Sequence, residues 1–200
     1  MRHSIEAVRK YFGNKKVKCA ELGVSVGDNA RDMLLNYPEI ESIHLVDVFL
    51  GGYAKAKDVS KQKLEKLDCY DKVIWHYMTT AKASKEVEDK SLDFVYVDAG
   101  HSYELVKEDL ELWWPKIKDD GMMCGHDYNL CGRMEGIKQA CDEFFTKLNL
   151  PVSVASIYVQ PPYNGATHWS RRLRTTAFSD WWVYKIELKD DSYINRILQK

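Results

Sequence analysis

The chain has 200 residues, enough for one α/β domain with a full core and too few for two, so we expect a single domain over residues 1–200. Its 29 basic and 30 acidic side chains leave a formal net charge of −1, which disfavours nucleic acid as a partner. The longest apolar runs have the length of strands rather than membrane spans, and residues 1–6 lack a secretory signal. We therefore expect a soluble cytoplasmic protein, and the sequence leaves homo-oligomerisation open.

Apolar runs of strand length alternate with segments of helical period, a pattern typical of βαβ units and of an open, mostly parallel α/β sheet. Helices are predicted over residues 3–12, 28–36, 61–67, 103–117 and 136–148. Strands are predicted over residues 17–22, 43–48, 73–78 and 122–126, with a further strand that ends at Asp98. In the helix over 103–117, the apolar spacing predicts one buried side that carries Leu105, Val106, Leu110, Trp113 and Trp114.

The last quarter of the chain departs from this alternation. Residues 152–159 and 181–188 are both strand-like, but no helical period lies between them. Because parallel neighbours need a long crossover, we expect an antiparallel pair at one end of the sheet. The loop over residues 161–172 is either a substrate flap or a solvated surface loop, and the sequence favours neither.

Two late strands end in polar side chains. Asp98 and His101 follow the apolar run Phe94-Val95-Tyr96-Val97, and His126 and Asp127 follow a second apolar run. Since open α/β sheets bind their ligands at the carboxyl ends of the strands, we expect two acids and a histidine to converge there.

Structural roles are alternatives for each of these residues. Asp98 is placed to cap the helix that follows it, and His101 could bond to a backbone carbonyl instead of acting in chemistry. His126 could be a ligand, a partner that orients Asp127, or a packed polar residue.

A glycine turn follows the first predicted strand. Glu21 precedes two glycines, Gly23 and Gly27, that are separated by three residues. A dinucleotide-binding loop would carry a further glycine between them so that its amides could face a pyrophosphate. The turn therefore favours a cofactor without phosphates. Asp47 ends the next strand, the position at which doubly wound folds carry a carboxylate that binds ribose hydroxyls.

The cysteines indicate neither a disulfide framework nor a zinc site. There are five, an odd number with no Cys-x-x-Cys pair, which fits free thiols in a reducing compartment. Cys124, His126 and Cys131 lack the tight paired spacing of zinc ligands.

The chain resembles the class I S-adenosylmethionine-dependent methyltransferases. Four motifs carry this resemblance: Glu21-x-Gly23-x-x-x-Gly27, Asp47, the run from Val97 to Tyr103, and Gly125-His126-Asp127-Tyr128. Within that superfamily the chain is similar to the metal-dependent branch of sugar and small-molecule O-methyltransferases. The resemblance covers about residues 17–148. It implies a Rossmann-like, doubly wound, mostly parallel seven-stranded sheet with a C-terminal antiparallel hairpin.

The resemblance also implies roles for individual residues. Asp47 would take the ribose hydroxyls, Asp98 and Asp127 would hold Mg²⁺ or Mn²⁺, and His101 would be the general base. In related sugar enzymes an acid stands immediately before the second metal-binding aspartate. This chain has His126 at that position, and His126 is the third candidate metal ligand. The full set of implied cofactor-binding residues is Glu21, Gly23, Ser25, Gly27, Asp47, Met78, Thr79 and Asp98.

The chemistry fits these residue types. A sugar hydroxyl is a weak acid, so a divalent cation would lower its pKa before His101 removes the proton, and oxygen ligands suit Mg²⁺ or Mn²⁺ better than zinc. We therefore expect O-methylation of a hydroxyl on a sugar, glycan or glycosylated small molecule. Aromatic and polar side chains suited to the walls of such an acceptor site are Phe49, Tyr53, Tyr128, His168, Trp169 and Arg171.

Three other functions compete with this interpretation. The first is a metal-independent methyltransferase of a phenolic or other small-molecule acceptor, in which Asp98 only positions the cofactor. The second is a protein that binds the cofactor or a partner without catalysis. The third is RNA methylation, with Arg171, Arg172 and Arg174 on the phosphate backbone.

Overall fold

The computed structural model describes residues 2–128, 135–159 and 176–185, which form one seven-stranded sheet with helices on both faces. The strands are β1 (Val17–Leu22), β2 (Ile40–Val46), β3 (Val73–His76), β4 (Leu92–Val97), β5 (Ile117–Gly125), β6 (Ser153–Val159) and β7 (Thr176–Lys185). The helices are α1 (His3–Phe12), α2 (Asp28–Asn36), α3 (Ala56–Leu64), α4 (Thr80–Ala83), α5 (Tyr103–Trp113) and α6 (Glu135–Lys147).

The strand order is β3-β2-β1-β4-β5-β7-β6. The first five strands in this order are parallel, whereas β7 runs antiparallel to both β5 and β6. This confirms the predicted Rossmann-like fold with an antiparallel pair at one end. All six residues of β4 are buried, as expected of a central parallel strand that is covered on both faces.

Each face of the sheet has its own apolar core. Side chains of α1, α2 and α3 pack on one face, and side chains of α4, α5 and α6 pack on the other. Strand β1 therefore leads to a helix on one face, while its neighbour β4 leads to a helix on the opposite face. Such a switch point leaves a crevice at the carboxyl ends of the two strands, where folds of this kind bind ligands.

Several predicted boundaries were wrong by a few residues. Strand β2 begins and ends earlier than predicted, although Asp47 still follows its last residue. Helix α3 also starts earlier than predicted. Its buried residues Ala56, Ser60 and Leu64 are spaced four positions apart, and the charged residues between them hide this helical spacing in the sequence. The helix predicted to reach residue 117 ends at Trp113 and continues as a 3-10 turn.

The predicted buried side of α5 is correct except at one position. Val106, Leu110 and Trp113 are buried and Trp114 packs partly against the same core. Leu105 is half exposed and lies instead over Gly100, in the loop that leads into the helix. Across the described ranges, no helix has the length and apolar character needed to cross a bilayer.

Candidate active site

The glycine loop between β1 and α2 forms one wall of the crevice. Gly23 has a φ of +85°, and a β-carbon there would lie 2.1 Å from the carbonyl oxygen of Asp98. Gly27 has a φ of +75°, and a β-carbon there would lie 3.0 Å from the side chain of Ser60. Both positions require glycine because of the backbone conformation and the close approach of neighbouring chain.

Asp47 holds this loop in place. Its Oδ2 accepts hydrogen bonds from the backbone N–H groups of Val24 and Ser25, both at 2.9 Å. Its Oδ1 accepts a third from the N–H of Phe49 at 2.7 Å. Ser25 has a φ of +50°, so these bonds stabilise a conformation that a non-glycine residue rarely adopts. The predicted contact of Asp47 with ribose hydroxyls remains a prediction.

Glu21 is buried beneath the same loop. Its Oε1 accepts a hydrogen bond from Asn29 Nδ2 at 3.0 Å, while the buried Oε2 has no hydrogen-bond partner among the described residues. Burial raises the pKa of Glu21 to about 8 against the opposing effect of the Asn29 hydrogen bond. A buried polar atom without a partner is costly in a folded protein. Because Glu21 keeps a proton at neutral pH and Oε1 accepts from Asn29, Oε2 is a hydroxyl that fits a cofactor group able to accept a hydrogen bond.

Two predicted adenine neighbours lie after β3. Met78 is half buried against the core on the α5 face. The hydroxyl of Thr79 caps α4 by accepting a hydrogen bond from the N–H of Lys82 at 3.3 Å. Their contact with the cofactor is not tested by this geometry and stays a prediction.

The predicted acceptor-site residues are dispersed. Tyr53 is 64% exposed, whereas Phe49 is buried and packs against Trp75 and Tyr77. Tyr128 is nearly buried, and its hydroxyl donates to Asp142 on α6. The other predicted residues, together with the loop at 161–172 and Arg174, lie outside the described residues: His168, Trp169 and Arg171.

The two acids and the histidine do converge at the carboxyl edge. His101 Nε2 lies 3.3 Å from Asp127 Oδ2 and 3.8 Å from Asp98 Oδ1. One ligand atom from each of the three residues lies within 4.8 Å of the others. All three side chains are partly exposed, so the cluster faces an accessible space. Two carboxylates and an imidazole at this separation can hold a divalent cation.

The charges of this cluster shift its protonation equilibria. His101 Nε2 is buried and makes no hydrogen bond among the described residues, but the nearby Asp127, and then Asp98, raise the pKa of His101 to about 9. Burial acts to raise the pKa of Asp127, yet pairing with His101 and His126 outweighs it and lowers that pKa well below its ordinary value. Without a further cation, His101 is therefore protonated at neutral pH.

The structural alternatives for the cluster can now be compared with the geometry. The cap of α5 is Ser102, whose hydroxyl accepts from the N–H of Leu105 at 3.4 Å, so Asp98 is not needed as a cap. The thiol of Cys124 is buried and donates to the Val95 carbonyl at 3.5 Å, which does not support a role as a metal ligand. Cys131 lies outside the described residues.

A second layer of charged residues lies behind Asp127. His126 Nδ1 is 2.8 Å from Asp127 Oδ1, and His126 Nε2 is 3.8 Å from Asp180 Oδ1 on β7. The Arg2 guanidinium lies 3.6 Å from Asp98 and 4.0 Å from Asp180. Neither Arg2 nor Asp180 was predicted from the sequence. The available signal was an acid directly before the aromatic pair Trp181-Trp182 in β7.

A curated protein shares part of this sequence. A Sinorhizobium fredii protein named "Uncharacterized protein y4gI" is 27% identical over 128 residues, which is 61% of this chain. The aligned part spans 14% of that relative's length.

Two solved structures share the fold at low sequence identity. A Staphylococcus aureus protein described as "a putative caffeoyl-CoA O-methyltransferase" has a TM-score of 0.63 and 11% identity, over 92% of this chain and 84% of that one. The geranyl diphosphate C-methyltransferase of Streptomyces coelicolor A3(2), in complex with Mg²⁺, geranyl diphosphate and S-adenosyl-L-homocysteine, has a TM-score of 0.62 and 10% identity. That likeness covers 91% of this chain and 76% of that chain.

The family comparison covers more than half of the sequence. The family model described as "Methyltransferase domain" matches residues 20–128, a range that begins within β1 and includes the glycine loop, Asp47, Asp98, His101 and Asp127. The predicted superfamily is thereby confirmed, and the chain belongs to this methyltransferase family, with the fold of the class I S-adenosylmethionine-dependent enzymes.

Proposed function

We propose that this methyltransferase moves the methyl group of S-adenosylmethionine to a hydroxyl oxygen of a sugar, glycan or glycosylated small molecule, assisted by a divalent cation. The observation that carries the proposal is the cluster of Asp98, His101 and Asp127 beyond the carboxyl ends of β4 and β5, next to the crevice between β1 and β4. This cluster combines acids that can hold a cation with a base, next to the loop expected to hold the cofactor.

The crevice walls fit the cofactor. Gly23 and Gly27 let the loop between β1 and α2 pack closely against Asp98 and Ser60, and Asp47 holds the loop amides of Val24 and Ser25. The unpartnered Oε2 of Glu21 offers a buried hydrogen-bonding group. When bound, S-adenosylmethionine supplies an electrophilic methyl group on a sulfonium. The task of the protein is then to align an acceptor oxygen with that methyl group, which can supply much of the rate enhancement.

The donor set of the cluster fits Mg²⁺ or Mn²⁺, which prefer carboxylate oxygens. Asp98 and Asp127 would hold the ion, and its chemistry there would be to stabilise negative charge that develops on the acceptor oxygen. The predicted ligand His126 places Nδ1 at hydrogen-bond distance from Asp127 Oδ1, so we assign it to orienting that carboxylate. The Mg²⁺ named in the Streptomyces coelicolor complex makes cation use in this fold plausible.

His101 would take the proton of the acceptor hydroxyl. With a pKa of about 9 it carries its own proton at neutral pH, because Asp127 and Asp98 attract the positive charge. Positive charge that neutralises these carboxylates lowers the pKa of His101 toward its ordinary value and frees the base. The base and the cation thus depend on the same two acids.

A metal-independent transfer to a phenol is the second candidate. It is favoured by Arg2, whose guanidinium lies 3.6 Å from Asp98 and already compensates that carboxylate. A phenol ionises near pH 10, far below a sugar hydroxyl, so its oxygen needs less help to become nucleophilic.

Transfer of tritium from labelled S-adenosylmethionine to pools of glycosides, phenols and RNA tests the proposal. We expect label in the glycoside pool, lost after EDTA treatment and restored by Mg²⁺. The Asp98→Ala variant should keep cofactor binding and lose turnover, whereas Asp89→Ala, which removes an exposed partner of Lys116, should behave as wild type. EDTA-resistant labelling of phenols alone would overturn the proposal in favour of the second candidate.

A further inference from the structure

Asp180 is a buried acid on β7, and His126 lies between it and Asp127 of the proposed cation site. It is 5% exposed, and its Oδ1 faces His126 Nε2 at 3.8 Å. The other nitrogen of the same ring, Nδ1, lies 2.8 Å from Asp127 Oδ1. A single imidazole therefore lies between the acid on the last strand and the acid that follows β5.

Asp127 needs this support because its backbone is strained. Its φ is +59°, a left-handed conformation that costs free energy in a residue other than glycine and that persists only where neighbours enforce it. A carboxylate can only accept a hydrogen bond, so Nδ1 of His126 must carry the hydrogen that faces Asp127. The orientation of the His126 ring thus decides where Asp127 Oδ1 lies.

Asp180 is itself fixed from the opposite side. Its Oδ2 accepts hydrogen bonds from the backbone N–H of Ser4 at 3.0 Å and from the Ser4 hydroxyl at 3.1 Å. The pairing of β7 with β5 sets Gly125 opposite Trp181, which brings Asp180 beside the residues after β5. Asp180 is consequently anchored by both α1 and β7, and it presents a defined negative charge to His126.

We propose that Asp180 is a positioning residue that acts through His126 to hold Asp127 in the orientation that binds a divalent cation. This inference rests on the cation site of the proposed function. Partners of this kind, one shell outside the ligands, fix ligand orientation, and their loss typically weakens metal affinity by about 10- to 100-fold. The substitution Asp180→Asn keeps the shape of the side chain and removes its charge.

The test is Mn²⁺ binding by the full chain, measured by the loss of the free-ion electron paramagnetic resonance signal without cofactor or acceptor. We expect Asp180→Asn to weaken Mn²⁺ binding by about 10- to 100-fold. The control is Asp93→Asn, which removes an equally buried charge, paired with Lys15 and Lys118, at the opposite end of β4. It should lower stability and leave Mn²⁺ affinity unchanged.

A double-mutant cycle separates positioning from general destabilisation. If Asp180 acts through His126, the double variant Asp180→Asn with His126→Asn should bind Mn²⁺ no more weakly than His126→Asn alone. Should Asp180→Asn fail to fold, Ser4→Ala, which removes one anchor of the carboxylate, should weaken Mn²⁺ binding in the same direction.

Equal Mn²⁺ affinity in wild type and Asp180→Asn would overturn the positioning role, as would additive losses in the cycle. A wild-type chain that binds no Mn²⁺ would overturn both this role and the proposed use of a cation. Failure of methyl transfer to every acceptor pool, with Mn²⁺ binding still dependent on Asp180, would overturn the proposed reaction and leave the positioning role standing.

Discussion

The main chain of Asp98 lies directly against Gly23, so that a β-carbon on residue 23 would come within 2.1 Å of the Asp98 carbonyl oxygen. The two residues follow the neighbouring strands β1 and β4, and the N–H of Asp98 donates to the Leu22 carbonyl at 2.8 Å. The glycine loop and the first acid of the proposed cation site are thus parts of one surface. A change at residue 23 must therefore affect both.

The substitution Gly23→Ala should abolish cofactor binding. The new methyl group would collide with main chain rather than with a flexible side chain, and the φ of +85° is unfavourable for alanine. Isothermal titration calorimetry with S-adenosylmethionine measures the effect. The matched control is Gly52→Ala, since a β-carbon there meets nothing within 4 Å. Normal cofactor affinity in Gly23→Ala would contradict the close packing of this loop.

Asp47→Ala should weaken cofactor binding and destabilise the protein together. The change leaves three backbone N–H groups, those of Val24, Ser25 and Phe49, without their acceptor. Loss of hydrogen bonds to a charged acceptor costs about 1.5–3 kcal/mol, which corresponds to a roughly 10- to 100-fold weaker affinity if the cost falls on the cofactor-bound state. Urea unfolding and calorimetry would measure the two effects. Asp28→Ala, which removes an exposed partner of Lys63, is the control that should change neither.

Glu21 should make stability fall as the pH rises through the neutral range. Burial raises its pKa from 4.5 to about 8, so the folded state keeps a proton that the unfolded chain releases. The stabilisation is fully present below pH 4.5 and is lost as the pH approaches 8, with a slope of at most about 1.4 kcal/mol per pH unit.

The isosteric variant Glu21→Gln should remove this dependence, because glutamine carries no titrating proton and its Oε1 can still accept from Asn29. Urea unfolding between pH 5 and pH 8 compares the slopes of wild type and variant. The exposed substitution Glu41→Gln is the control. Parallel slopes for wild type and Glu21→Gln would mean that Glu21 is ionised in the folded protein.

The fold and half of the site were accessible from the sequence because each depends on local pattern. Buried parallel strands are continuous apolar runs, so the polar residue that ends each run, such as Asp98 or Asp127, marks the carboxyl edge of the sheet. Gly23 and Gly27 likewise indicate a turn from the local sequence alone. Boundaries were less accessible: α3 begins with charged residues that hide its register.

The second layer was not accessible because it depends on pairing between distant segments. Asp180 meets His126 only because β7 runs antiparallel to β5, and it meets Ser4 across 176 residues of sequence. The exposure of Leu105 has a different, local origin, since its side chain covers Gly100 in the preceding loop instead of entering the core. Helical spacing alone does not distinguish these two surfaces.

His101→Asn should separate catalysis from binding. It removes the group proposed to take the acceptor proton, and general-base catalysis typically contributes about 10²- to 10⁴-fold to the rate. We therefore expect single-turnover methyl transfer to slow by this factor, while calorimetric affinity for S-adenosylmethionine stays within about threefold of wild type, a difference well under one kcal/mol. The control His3→Asn changes an exposed histidine that pairs with Glu6 and should transfer methyl groups at the wild-type rate. Wild-type turnover in His101→Asn would remove the base from the mechanism and leave alignment and charge at Asp98 and Asp127 as the source of catalysis.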